Sequence, residues 1–434
     1  MANRQPSRLL FVVANVDKDK KEAPRPLVEG WISAAKSILS KNVESVSVLL
    51  ESDLPTDHLE QAIEGVLLGL YAYDKPGKGD KDKGKKKKVK SITFLVSNDT
   101  HMAGLQKKLP HILSMVGAVF LTRDLVNHPA NIVNPSYLDK LANEIAKKNG
   151  LKIRTLDEAA LKKNKMNLIM AVGMGSVERP RLIHLEYQPK QKAKKTVALV
   201  GKGVTFDSGG LSLKPQANMY GMKSDMAACA AVLSVASIIK NLNLPIHVHF
   251  ITPVVENLVS DCSVKPGDVF VAHNGKSVEI ENTDAEGRLI LADALSYAEG
   301  LGVDHIIDAA TLTGAVIIAL GDDIAAAMGT DDKMIQQIID CGAEVGERFW
   351  KLPFEKDYLK VLKSDVADMK NVGGRSAGSI VGGLFLSEFV EKTSWVHLDI
   401  AGPTFSEKDT PLLPKGGTGF VVRTFVRLFE KLAS

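Results

Sequence analysis

Two hydrophobic periods alternate along the first third of the chain. Short apolar or β-branched runs at 8–14, 43–50 and 91–96 read as strands. Longer stretches at 26–40 and 56–73 read as helices. Strand and helix in turn predict a small α/β domain over residues 1–120. A turn-rich segment follows, N-H-P-A-N at 127–131 with N-P at 134–135, and marks a boundary.

Residues 121–434 read as a larger α/β domain with a central mixed sheet flanked by helices. The run 196–200 is wholly apolar or β-branched and stops at Gly201, as a strand buried on both faces does. Residues 225–240 are Ala-rich and apolar along most of their length, which suits a buried helix. The segments 247–251, 277–280, 304–310 and 395–400 read as further strands, and 288–298 as a helix. No internal repeat is visible.

Composition narrows the class. With 434 residues and 45% hydrophobic content, the chain builds sizeable cores and is too long for one ordinary domain. No apolar stretch approaches the ~20 residues that span a bilayer, and the run at 9–14 is too short for a signal-peptide core. Three widely spaced cysteines, Cys229, Cys262 and Cys341, argue for a reducing compartment and a cytoplasmic protein. The net charge of +4 hides a local excess: residues 75–90 hold nine lysines and two aspartates, +7, which leaves −3 for the rest. This segment reads as a solvated, flexible loop. No aromatic residues interleave with its lysines to stack on bases, so a nucleic-acid partner is not expected.

The chemistry concentrates in N-T-D-A-E-G-R-L at 282–289, where Asp284 and Glu286 crowd two carboxylates beside Arg288. Carboxylates this close repel unless a cation lies between them. Open α/β sheets place sites in loops after the carboxyl ends of strands. Another such loop, 201–215, carries Asp207, and M-K-S-D at 222–225 carries Asp225. The four carboxylates total −4, which two divalent cations neutralise, and metal pairs ~3.5–4 Å apart are a recurring hydrolytic device. Hard oxygen donors suit Mg2+ or Mn2+ and tolerate Zn2+.

Competing readings fall away one by one. Any single aspartate here is commonly a cap or turn residue, and Asp225 suits an N-cap. An EF-hand reading of 282–293 lacks Asp at its first position and Glu at its last. G-K-G at 201–203 is neither a phosphate loop nor a dinucleotide fingerprint, because Thr196, Gly203 and Phe206 stand at defining positions. G-R-S-A-G at 374–378 matches a nucleophile elbow, but no strand precedes it. His247 and His249 share one strand face and read as core or interface residues rather than ligands.

Five motifs together identify a family. G-K-G-V-T-F-D-S-G-G at 201–210, M-K-S-D at 222–225, N-T-D-A-E-G-R-L at 282–289, D-A-A-T-L-T-G-A at 308–315 and H-L-D-I-A-G at 397–402 resemble the leucyl (cytosol) aminopeptidases, peptidase family M17. The resemblance runs from about residue 121 to the C-terminus. It departs from the family in a short N-terminal part that contains the lysine segment.

The resemblance implies two divalent ions per subunit, Zn2+ or Mn2+, with Mg2+ or Co2+ as alternatives. One ion would take Asp207, Asp284 and Glu286. The other would take Lys202, as a neutral amine, with Asp207, Asp225 and Glu286. Lys214 and Arg288 would be the catalytic side chains, Lys214 facing the oxyanion and Arg288 holding a bicarbonate base. Lys214, Met222, Asn282, Thr311, Leu312, Gly314 and Ala401 would meet a peptide with a free N-terminus, leucine and other apolar residues being preferred. The family also implies a homohexamer in the cytoplasm with no membrane partner. A non-enzymatic or nucleic-acid-binding role on the same scaffold is the rival. The presence of every ligand and catalytic residue disfavours it.

Overall fold

The structure is a computed structural model that describes residues 27–39, 43–50, 56–76, 89–96 and 99–434. The strand expected at 8–14 and residues 77–88 of the lysine segment lie outside the described residues.

In the N-terminal part, Ser45–Leu50 and Ser91–Val96 pair in parallel, Ser45 opposite Ser91. The helices Leu27–Leu39 and Thr56–Gly69 pack on each other. Gly65 and Gly69, one turn apart, let the two helix backbones touch. A Cβ at either position would come within 2.7 Å of the Cβ of Trp31 or Ala35.

The helix Asp99–Asn127 then runs unbroken across residue 120. It packs on Thr56–Gly69 and also on Ala227–Ala236 and Val422–Ala433. Its buried Arg123 donates to Leu68 O at 3.2 Å and Thr418 O at 2.8 Å, so one guanidinium ties the first part of the fold to the last. Among the described residues this is the one helix long and apolar enough to cross a bilayer, which the sequence reading found nowhere. Here its apolar residues, including Ile112, Val116 and Val119, join the protein core.

Among the described residues the main sheet has nine strands. Ser394–Asp399, His305–Ala310, Lys195–Gly201 and Ile246–Asn257 form its parallel centre. Ile324–Gly329 and Arg181–Tyr187 add antiparallel on either side. Arg348–Lys351 and Lys152–Leu156 are the edges. Successive side chains of a strand point to opposite faces. Thus Val197 and Leu199 join a core with the helix Ala227–Ala236, while Ala198 and Val200 join another with Glu286–Glu299. Burial on both faces explains why 196–200 carries no polar alternation. The protein is α/β with a mixed sheet between helices, as the sequence predicts.

Three local expectations change. The apolar stretch 225–240 is two helices, Ala227–Ala236 and Ile239–Leu242. Part of the loop expected after Val200 is a strand, Gly203–Asp207, which extends the pairing along Ile246–Asn257. Asp225 is not the N-cap of the Ala-rich helix: Met226 holds that position of Ala227–Ala236 without a side-chain bond, and Asp225 instead ends the 3-10 turn Met222–Ser224 with its carboxylate buried.

Candidate active site and metal centre

Lys202 sits where the backbone switches between two strand segments. Lys195–Gly201 and the start of Gly203–Asp207 keep one register along Ile246–Asn257, Val200 opposite Ile251 and Gly203 opposite Val254, before a bulge between Val204 and Phe206 shifts it by one residue. Lys202 is therefore level with Pro253, which has no N–H for the ladder. Its own N–H donates to Ala309 O at 3.1 Å, and its carbonyl accepts from the Cys229 N–H at 3.0 Å. The side chain is buried. Its Nζ donates to Asp225 Oδ1 at 2.8 Å, Glu286 Oε1 at 2.9 Å and Thr311 O at 2.8 Å. These three partners use every donor of an ammonium.

Lys214 is the second cation. Its Nζ lies 2.8 Å from Asp207 Oδ2 and 2.5 Å from Asp284 Oδ1. Asp207, Asp284 and Glu286 each bring one carboxylate oxygen within 4.8 Å of the others. Asp225 joins them through Lys202. The four acidic residues gathered from the sequence therefore form one cluster, held by two lysines.

Burial and like charge act together on this cluster. Burial raises the Asp207 carboxyl, and the nearby Glu286 raises it further. Burial also lifts Asp225 well above the ordinary carboxylate range and lifts Asp284. For Lys202, burial opposes the charge, but Asp225, Glu286 and Asp207 outweigh it and raise the amine. Lys214 is raised in the same way, chiefly by Asp207 and Glu286. Asp225 Oδ2 and Glu286 Oε2 are buried and have no hydrogen-bond donor among the described residues. An unpaired buried carboxylate oxygen is costly. Those oxygens and the hard donor set therefore fit divalent cations.

The two motif loops are pinned by side chains that ligand counting does not reveal. Thr283 Oγ1 donates to Gly209 O at 2.6 Å and accepts from the Ser212 N–H at 2.8 Å, joining 207–214 to 282–289. Asn257 Nδ2 donates to Asp207 Oδ1 at 2.9 Å and Thr283 O at 3.0 Å. Gly209 adopts φ +84°, a left-handed conformation that permits its N–H to reach Asp207 Oδ1 at 2.8 Å. Asn371, fully buried, accepts from the Glu281 N–H at 2.9 Å and donates to Asn282 O at 2.7 Å.

Arg288 lies in the first turn of Glu286–Glu299 and does not pair directly with the carboxylates. Its Nη1 donates to Asn371 O at 2.8 Å, while Nε has no partner among the described residues. Burial pulls this guanidinium down to about 10 against the opposing pull of Glu286 and Asp399. Thr311 donates its hydroxyl to Asp225 Oδ1 at 2.7 Å. Asn282 Oδ1 accepts from the Asp284 N–H at 2.9 Å. The Leu312 N–H (3.1 Å) and Ala401 N–H (3.4 Å) share Asp399 Oδ1. Gly314 opens the helix Gly314–Leu320, and Met222 opens a single 3-10 turn before Asp225. Among the described residues Gly314 makes no bond to the carboxylate cluster, and Met222 only accepts from the Asp225 backbone N–H, at 3.4 Å.

The G-x-S-x-G match is no elbow. The strand before it, Met369–Lys370, is two residues long and edges a separate sheet, and Ser376 is exposed. His397 instead pairs with Asp308 at 2.6 Å inside the core.

The profile described as "Cytosol aminopeptidase family, catalytic domain" matches residues 120–426. A "Probable cytosol aminopeptidase" of Gloeobacter violaceus is 43% identical over 378 residues, covering 85% of this chain and 74% of that relative. One of Picosynechococcus is 49% identical over 314 residues, 72% of this chain and 64% of the relative. A solved structure described as "Bottromycin maturation enzyme BotP in complex with Mn" superposes with a TM-score of 0.85 at 33% identity, covering 94% of this chain and 88% of that one. Fold, carboxylate cluster and relatives define a metal-dependent hydrolase. The chain belongs to the cytosol aminopeptidase family, M17, and is an aminopeptidase.

Proposed function

We propose that this aminopeptidase uses two divalent ions, held by Asp207, Asp225, Asp284, Glu286 and Lys202, whose amine would turn neutral beside the bound ions, to remove leucine and other apolar residues from peptide N-termini. The observation that carries the reading is the pair of buried oxygens with no donor among the described residues, Asp225 Oδ2 and Glu286 Oε2, on the two carboxylates that Lys202 bonds. When bound, Zn2+ or Mn2+ would acidify a water and polarise the scissile carbonyl.

The chain's own groups do the rest. Lys214, kept cationic by Asp207 and Asp284, faces the developing oxyanion. Arg288 offers its unpartnered Nε to a planar bicarbonate base, with Nη1 anchored on Asn371. Asn282, Met222, Thr311, Leu312, Gly314 and Ala401 border the substrate. An apolar pocket grades its substrates by only ~1–3 kcal/mol per methylene, so leucine is a preference. A homohexamer in the cytoplasm completes the reading; the cytosolic names of the relatives support the location alone. Chelator-stripped protein should lose hydrolysis of leucine p-nitroanilide and recover it with Mn2+ or Zn2+. Full turnover after complete metal removal would sink the proposal.

A further inference from the structure

A second ligand-rich cluster lies away from the active site, near the start of the strand Ile246–Asn257. Glu186 stands directly opposite His249 in the antiparallel pair formed with Arg181–Tyr187. His247 is two residues from His249 and so shares its face. Each of the three offers one carboxylate oxygen or ring nitrogen within 4.8 Å of the others. Four ligands placed tetrahedrally around one zinc at ~2.1 Å stand about 3.4 Å apart. Small side-chain movements therefore close the set. His247 Nε2 already lies 3.1 Å from Glu186 Oε1. His247 and Glu186 are each partly exposed, at 22%, which leaves room for a water as fourth ligand.

The surroundings resemble those of a metal-bound imidazole. Such a histidine ordinarily commits its other nitrogen to a fixed hydrogen-bond partner. His249 Nδ1 lies 2.9 Å from His184 Nε2, and His184 Nδ1 lies 3.0 Å from the Tyr297 hydroxyl.

We propose that Glu186, His247 and His249 form a binding site for a divalent transition-metal ion such as Zn2+, separate from the catalytic centre. Two imidazoles and one carboxylate favour zinc over Mg2+ or Mn2+, whereas the catalytic cluster is mainly oxygen. From His249 to Asn257, which orients Asp207, the strand extends about 26 Å. The site is therefore structural. It clips Arg181–Tyr187 to Ile246–Asn257, and its outer partner Tyr297 stands on the helix that begins with Glu286. Lys152 competes for the same carboxylate, with Nζ 3.1 Å from Glu186 Oε1, but its side chain is 70% exposed and free to swing into water.

The test is equilibrium dialysis of the full chain against buffered Zn2+, with metal content per chain measured for the wild type, His247→Ala, His249→Ala and Lys152→Ala. Wild type should bind one more Zn2+ per chain than either histidine variant. Lys152→Ala should bind that ion at least threefold more tightly, an effect that a simple hydrogen-bond ladder would not produce. With Mn2+ as the probe, wild type and histidine variants should bind alike. His247→Ala, at a partly exposed position, guards against misfolding of His249→Ala. Equal Zn2+ content in wild type and both histidine variants, or unchanged Zn2+ affinity in Lys152→Ala, would overturn the proposal.

Discussion

Gly287 leans directly on Lys202: a Cβ at position 287 would lie 2.6 Å from Lys202 Cε and 2.7 Å from its Nζ. Lysine side chains usually yield to such pressure. Lys202 cannot do so freely, because it is buried and bonded to Asp225, Glu286 and Thr311. The glycine in N-T-D-A-E-G-R-L is thus a steric requirement of the lysine eighty-five residues earlier. Gly287→Ala should reduce kcat/KM at least tenfold, with thermal stability falling far less than activity. Steady-state kinetics beside a melting curve checks this, and near-normal turnover would show that Lys202 has room to move.

Thr283→Val keeps the side-chain shape but strands Gly209 O and the Ser212 N–H. Leaving buried polar groups unpaired costs about 1–3 kcal/mol. The loss should appear in urea unfolding of metal-loaded protein. It should also appear as weaker metal affinity, because Thr283 joins the loops that carry Asp207 and Asp284.

Lys214→Ala should lower kcat more than it raises KM, because its proposed partner develops only in the transition state. Lys214→Arg should recover little, since a guanidinium cannot replace a compact ammonium between Asp207 and Asp284. An effect confined to KM would assign Lys214 to substrate binding alone.

Asp293 gives the fold a pH signature distant from the carboxylate cluster. Burial raises this carboxyl to about 7, although N–H groups of His273, Ile169 and Leu168 pull the other way. Its ordinary value is 3.8. Between those values the folded state holds a proton that the unfolded state has lost. The contribution of Asp293 to stability therefore declines as pH rises from about 4 to 7 and levels off above. Asp293→Asn retains an acceptor for Leu168 and Ile169 but cannot titrate. Wild type should lose stability relative to Asp293→Asn between pH 5 and pH 8 in urea unfolding. A constant difference between the two would contradict the raised value.

Much of this was legible in the chain because the relevant signals are local. The run 196–200 shows a strand buried on both faces, and the crowded Asp284 and Glu286 advertise a cation. What stayed hidden depends on tertiary contact. Asn257 and Asn371 are single amides with no surrounding motif, and their importance comes from the backbone groups they reach across the fold. The break at Lys202 lies level with Pro253, a position that only the pairing with a neighbouring strand reveals. Asp225 read equally well as a cap, because only folding brings Lys202 and Thr311 to it. The long helix Asp99–Asn127 is not legible in the chain, because Pro110 and scattered charges interrupt its apolar pattern.

Anomalous diffraction from crystals soaked in Mn2+ tests the catalytic centre most directly. Two peaks about 3.5–4 Å apart are predicted among Asp207, Asp225, Asp284 and Glu286, with Lys202 Nζ against one of them. A single peak there, or manganese bound only elsewhere, would contradict a two-metal aminopeptidase centre.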